Sequence, residues 1–175
     1  MILGAILAGG RSSRFGSDKA LAKIDGVTLI DRNTATLDGQ VDRVAICGRP
    51  WRDYLCLSDR PVHGLGPLGG LAAALHMAAT ENYRAVISLP VDALDVPLNL
   101  PSLLEADEPA YFQGQHLIGF WPSSLSATLD AHIGEGHRSV RSWLSACSAT
   151  SVIEPHRIGN ANFAGDLASF LPIGG

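Results

Sequence analysis

Several features that would mark a secreted, membrane or nucleic-acid-binding protein are scarce in this 175-residue chain. Cysteine is one: Cys47, Cys56 and Cys147 are odd in number and form no CxxC pair, which excludes a disulfide framework and fits a reducing compartment. No apolar run reaches the roughly 20 residues that a membrane-spanning helix needs. The opening MILGAILAGG has no basic segment before its short apolar run, so it does not read as a secretory signal. Charged residues are only 17% and the formal net charge is −4, with no block of Lys and Arg to grip a nucleic acid. The six histidines are scattered and none stands in an HExxH pair, which argues against a zinc site. The expectation is a cytoplasmic protein without nucleic-acid or membrane partners, whose anionic ligand is small and held locally.

What is present is a globular composition, 46% hydrophobic. A chain of this length buries roughly 70% of its unfolded surface and needs no staples. It is expected to form a single domain over 1–175. Short apolar runs at Ile2–Leu7, Val44–Cys47 and Ala85–Leu89, and weaker ones at Ala110–Phe112 and Ser151–Ile153, suit strands covered on both faces. Helical patterns at Leu29–Leu37, Leu68–Ala79, Leu125–Ile133 and Val140–Ala146 fall between them. This alternation predicts an α/β fold with a mainly parallel sheet. Asp25-Gly26 reads as a tight turn between two extended pieces. Pro97, Pro101 and Pro109 predict a loop-rich crossover, and Phe163–Phe170 a closing helix.

The segment Leu7 to Lys19, LAGGRSSRFGSDK, follows the first predicted strand. Ligands of open α/β sheets bind at the carboxyl ends of strands, so a glycine-rich loop there is well placed. Gly9 and Gly10 let the backbone approach a ligand, and its N–H groups can bond phosphate oxygens or a base edge. Arg11, Arg14 and Lys19 add cations suited to a triphosphate, where the plainer reading is a solvated loop. A Walker A loop is excluded, because Lys19 sits three residues past Gly16 and Ala20 follows it.

A second cluster, Gly64-Leu65-Gly66-Pro67-Leu68-Gly69, matches GxGxxG but follows a polar, proline-containing stretch rather than a buried strand. It is therefore not a dinucleotide fingerprint. Pro67 instead fits the first turn of a helix, whose start at Gly66–Gly69 presents N–H groups to a nucleotide. Asp92 comes after the Ala85–Leu89 run and Pro90, on the rim where a carboxylate can hold Mg²⁺ against a phosphate; a turn or cap is the commoner use of Asp. Asp95 is a weaker metal candidate that reads rather as a backbone cap. Asp59 either caps a turn or meets ribose and metal.

These residues resemble a known family, the molybdenum cofactor guanylyltransferases of the nucleoside-diphospho-sugar transferase superfamily. The resemblance rests on Leu7-Ala8-Gly9-Gly10 with Arg14-Phe15-Gly16-Ser17-Asp18-Lys19, and on Gly66-Pro67-Leu68-Gly69-Gly70. It continues with Leu89-Pro90-Val91-Asp92 and the closing Asn160-Ala161-Asn162 followed by Asp166-Leu167, all in the family's order. It implies a three-layer α/β/α fold and Mg²⁺-dependent transfer of GMP from GTP to a molybdopterin-type acceptor, with release of pyrophosphate. Leu7, Ala8 and Gly9 would then contact the nucleotide through the backbone, Lys19 would neutralise phosphates with Arg14, and Asp92 would bind Mg²⁺ and triphosphate. Asp59 would touch the nucleotide, and Asn162 would close the metal or acceptor site. Where the family pattern Ser-Ala-Asn-Arg has its Asn, at the nucleotide, this chain has Gly48, within Ile46-Cys47-Gly48-Arg49.

Gln115–Gly119 looks like the family's His-Pro strand with the proline replaced. Arg138 and Arg141, three apart on a predicted helix, share a face that receives the acceptor's phosphate or is simply solvated. The resemblance also allows transient contact with molybdenum enzymes or cofactor-handling proteins. Two other readings stay open at this point. One is a different nucleotidyl transfer, cytidylyl to the same cofactor or nucleotidyl to a sugar phosphate. The other is a nucleotide- or cofactor-binding adaptor without turnover.

Overall fold

A computed structural model describes residues 1–9, 18–104 and 106–161. The strand β1 (Ile2–Leu7) is buried along its whole length. A single 3₁₀ turn (Lys19–Leu21) leads to a hairpin of β2 (Lys23–Ile24) and β3 (Val27–Thr28), joined by the Asp25-Gly26 turn in which both residues have positive φ. Then come α1 (Leu29–Asp38), β4 (Arg43–Cys47), β5 (Leu55–Leu57), α2 (Pro67–Thr80) and β6 (Ala85–Pro90). The chain continues through β7 (Ala93–Leu94), α3 (Leu100–Leu104), β8 (Ala110–Phe112) and β9 (Gln115–Pro122). It ends, within the described residues, with α4 (Ser126–Gly134), α5 (Val140–Ala146), β10 (Thr150–Val152) and β11 (Gly159–Asn160).

The main sheet has the order β10-β8-β9-β6-β1-β4-β5. It is parallel except at β9, which runs antiparallel to both β6 and β8. Alternation along β1 sends Ile2 and Ile6 to one face, against Ile30 and Leu37 of α1 and Leu100 and Leu104 of α3. Leu3, Ala5 and Leu7 face the other layer, where α2, α4 and α5 contribute Leu71, Leu75, Leu129 and Trp143. The result is three layers, helices on both faces of a mostly parallel sheet. Each fully buried Leu, Ile or Phe contributes about 1.5–3 kcal/mol relative to exposure, so both layers are needed to hold the central strands. Among the described residues no helix is long and apolar enough to cross a membrane.

Two polar residues inside this core show how it stays satisfied. Ser88, in the middle of β6, donates to Leu117 O at 2.6 Å and accepts from Trp121 Nε1 at 2.7 Å. Asn33, on the buried side of α1, donates to Val91 O at 2.9 Å and Ala93 O at 3.0 Å. A buried polar group without such partners would be costly.

The structure departs from the sequence reading in places. The last strand of the main sheet is Thr150–Val152 rather than 151–153, and Ile153 is exposed. The crossover after Leu89 holds β7 and the short α3, and β5 was not anticipated. The expected closing helix at 163–170 lies outside the described residues.

Candidate functional site

Strand order places the carboxyl ends of β6, β1, β4 and β5 side by side, and register aligns Leu7 with both Pro90 and Cys47. Beyond the strands the rim is stitched by backbone. Ala8 N–H donates to Cys47 O at 3.0 Å, Val91 N–H to Leu7 O at 3.2 Å, and Gly48 N–H to Leu57 O at 2.8 Å. Gly48 has φ +92°, and a Cβ placed there would lie 2.4 Å from Gly9 Cα and 2.7 Å from Gly9 N. Two backbones touch, so a side chain at 48 has no room unless one of them moves.

The 3₁₀ turn brings Lys19 onto this rim. Its N-cap is Asp18, whose Oδ1 accepts from Ala20 N at 3.1 Å, and Ala20 is buried in the core. Lys19 Nζ then lies 3.1 Å from Asp92 Oδ2, both side chains being about one-fifth exposed at 19% and 23%. Asp92 is held by backbone ties on either side. Asn33 bonds the flanking carbonyls of Val91 and Ala93, and Asp92 O accepts from Ala161 N at 2.9 Å, next to the pairing of β11 with β7. Thus Asn160-Ala161 lies against the Asp92 backbone. Asp18 Oδ2 meets Arg49 Nη1, from the loop after β4.

Asp59 follows β5. Its Oδ2 accepts from Gly64 N at 3.1 Å, while Oδ1 is buried without a hydrogen-bond partner among the described residues and points toward Gly9, 3.5 Å from where that residue's Cβ would be. Gly69 packs against it so closely that a Cβ there would lie 3.0 Å from Asp59 Cβ. Below it, burial and then the Asp59 charge push the Cys47 thiol up to about 12, so Cys47 stays a neutral packing group. Helix α2 starts at this point with Pro67 in its first turn and Gly66 at the N-cap, φ +68°, without a side-chain cap. The positive end of a 14-residue helix therefore opens beside Asp59.

Leu7, Ala8, Gly9, Lys19, Gly48, Asp59, Gly66, Gly69 and Asp92 therefore lie along one rim. Gly10, Arg14 and Asn162 lie outside the described residues. The shared helical face of Arg138 and Arg141 needs correction. Arg138 is not on a helix with Arg141, because Ser139 caps α5 and Arg138 precedes it. Arg138 Nη1 donates to Ile133 O at 2.6 Å and His137 O at 2.8 Å, closing the end of α4. Arg141 is exposed in the first turn of α5. Asp95 has φ +56° and offers its carbonyl to His156 Nε2 at 2.7 Å. Sequence reasoning missed Asn33 and the Arg49–Asp18 contact; polar residues, Asn33 with Thr34, on the buried face of α1 were the signal for the first. Among the described residues no group of three or more His, Cys, Asp or Glu is arranged to hold a metal.

Residues 4–151 match the MobA-like NTP transferase domain family, most of the chain and all of the rim just described. The chain belongs to that family. This NTP transferase domain is 35% identical to a molybdenum cofactor guanylyltransferase from Rhodobacter capsulatus, over 95% of this chain and 93% of the relative. It is 37% identical to a protein of the same name from Acidiphilium cryptum, over 71% and 69% of the two chains. The molybdopterin-guanine dinucleotide biosynthesis protein A of Archaeoglobus fulgidus superposes with a TM-score of 0.67 at 15% identity, covering 97% of this chain and 87% of that one. A 2-C-methyl-D-erythritol 4-phosphate cytidylyltransferase from Thermus thermophilus gives 0.70 at 13% identity, covering 97% and 95%. At those identities the likeness shows the nucleotidyltransferase fold alone. Family and fold together make the protein a transferase.

Proposed function

We propose that this protein transfers GMP from GTP to the terminal phosphate of a molybdopterin-type cofactor. An oxygen of the acceptor phosphate forms a bond to the α-phosphorus, the bond from that phosphorus to the bridging oxygen breaks, and pyrophosphate leaves. The acceptor is already ionised near neutral pH, so no general base is needed. Catalysis of this kind is positioning and charge neutralisation. The observation that carries the reading is the Lys19–Asp92 pair at 3.1 Å on the strand rim, where one cation and one carboxylate face the same space. The names of the relatives supply the base and the acceptor.

The donor set suits Mg²⁺, which is commonly held by one or two carboxylates and the substrate's own phosphates rather than by an all-protein cage. Asp92 would hold it; bound there, the metal would neutralise charge on the triphosphate. Lys19 would bind phosphate oxygens, and the α2 start and the Leu7–Gly9 backbone would orient the nucleotide. The buried Asp59 Oδ1 would accept from a donor such as a ribose hydroxyl or a base N–H.

The test is pyrophosphate release by the purified protein with Mg²⁺, molybdopterin-type cofactor and each of the four nucleoside triphosphates in turn. GTP should be consumed in preference to the others. Preference for CTP would move the reading to cytidylyl transfer. Nucleotide binding without pyrophosphate from any of the four would leave an adaptor and sink the enzymatic reading.

A further inference from the structure

Four charges alternate along the rim: Arg49, Asp18, Lys19 and Asp92. The two ends come from different strands, Arg49 from the loop after β4 and Asp92 from the loop after β6. The middle two are neighbours in sequence, so an acidic side chain stands next to the lysine that faces Asp92. One Asp18 oxygen is used by the turn, accepting from Ala20 N. The other meets Arg49 Nη1, and the guanidinium keeps a buried Nε with no partner among the described residues. Gly48, locked against Gly9 and bonded to Leu57 O, fixes the point from which Arg49 departs.

We infer that Arg49 is a positioning residue for triphosphate binding: it neutralises Asp18 so that Lys19 stays directed at Asp92 and at incoming phosphates. The inference rests on the proposed function. A carboxylate left without its arginine beside Lys19 would do two things. It would compete with Asp92 and phosphate for the ammonium, and it would repel the polyanion. Arginine suits the task because its fork holds a carboxylate in a fixed geometry and is always charged. The pair is partly exposed, 26% and 37%, so its influence should weaken as salt rises.

The experiment measures the affinity of the full chain for GTP with Mg²⁺ by calorimetry, and KM and kcat by pyrophosphate release. The variants are Arg49→Met, Arg49→Lys and the double variant Arg49→Met with Asp18→Asn. Arg49→Met should raise Kd and KM for GTP roughly tenfold, the scale of one lost charge-assisted hydrogen bond, with a smaller change in kcat. Arg49→Lys should fall between it and the wild type. The double variant should recover most of the lost affinity, because no stranded carboxylate remains. A purely structural role predicts the reverse, since the double variant loses both halves of the tie. Circular dichroism and thermal unfolding establish that each variant is folded; if Arg49→Met does not fold, Arg49→Lys alone and with Asp18→Asn gives the same comparison. A wild-type protein that binds GTP, together with an Arg49→Met variant of equal affinity or a double variant no better than the single one, overturns this inference alone. A wild-type protein that binds no triphosphate overturns the proposed function and this inference with it.

Discussion

The carboxyl rim of the sheet and the corner between α4 and α5 treat their polar groups in opposite ways. Of the six buried side-chain polar atoms without a partner among the described residues, Arg49 Nε, Asp59 Oδ1 and Arg60 Nε come from the loops after β4 and β5. A fourth, Asp130 Oδ1, lies on α4, on the residue that pairs with Arg60. In the corner, by contrast, the polar groups close on one another. Ser142 Oγ donates to Ser139 O at 2.7 Å and so accepts from His132 Nε2 at 3.0 Å, Ser139 caps α5, and Arg138 closes α4. Trp143 Nε1 and, on α4, Asp130 Oδ1 are the exceptions on these two helices. A buried polar atom without a partner costs about 1–3 kcal/mol, so a fold keeps several together where something else completes them. The rim is thus built for a visitor and the corner for the fold.

Three substitutions separate the two regions, and the largest effect is expected at Asp92. Asp92→Asn keeps shape and removes charge. Turnover should fall by about 10²–10³, the range for loss of a group that stabilises developing charge. Stability should hardly move, because the partly exposed ion pair with Lys19 contributes about 1 kcal/mol or less. Steady-state pyrophosphate release and a thermal melt check both halves. Turnover near the wild-type value would remove the rim from the chemistry.

Gly48→Asn should act on both properties at once. It places a Cβ 2.4 Å from Gly9 Cα at a backbone φ of +92°. The strain should destabilise the fold by about 1–3 kcal/mol. The shift of Gly9 should also weaken GTP binding, although the variant restores the amide of the resembling family. A melt and a calorimetric titration decide it. Tighter GTP binding with unchanged stability would mean that the two backbones part easily and that Gly48 is a lost base contact.

The parts of this arrangement that were legible in the sequence are those written in local patterns. Val140–Ala146, the Pro67 helix start and the Asp25-Gly26 turn each follow from residues within a few positions of one another. Lys19 and Asp92 were expected on one rim because loops after neighbouring parallel strands must share it. The rest depended on long-range partners. Asn33 reaches carbonyls 58 and 60 positions away, and nothing in its own helix announces them. The direction of β9 is invisible to periodicity, which reports faces and not polarity. β5 is only Leu55-Cys56-Leu57, too short to show a pattern. Arg138 was grouped with Arg141 although the apolar pattern itself begins at Val140, and Ser139, a strong N-cap residue, marks the helix start after Arg138.

The smallest effect is expected from the corner, and it should depend on pH. Burial, and then the neighbouring His137 ring stacked at 4.6 Å, hold His132 below its ordinary value of 6.5, with Glu135 opposing. The neutral ring is therefore favoured in the folded state, and the unfolded chain takes up the proton first as pH falls. Stability from this residue is fully present above 6.5 and is lost as pH drops from there through the folded value. His132→Gln keeps a donor for Ser142 but cannot titrate. Melts across about pH 5 to 8, the range in which histidine changes charge, should show a shallower acid decline for the variant, with GTP affinity at neutral pH unchanged. An identical acid slope would shift the pH sensitivity to another group. A loss of GTP affinity would mean that corner and rim are coupled, and the division of labour between them would fail.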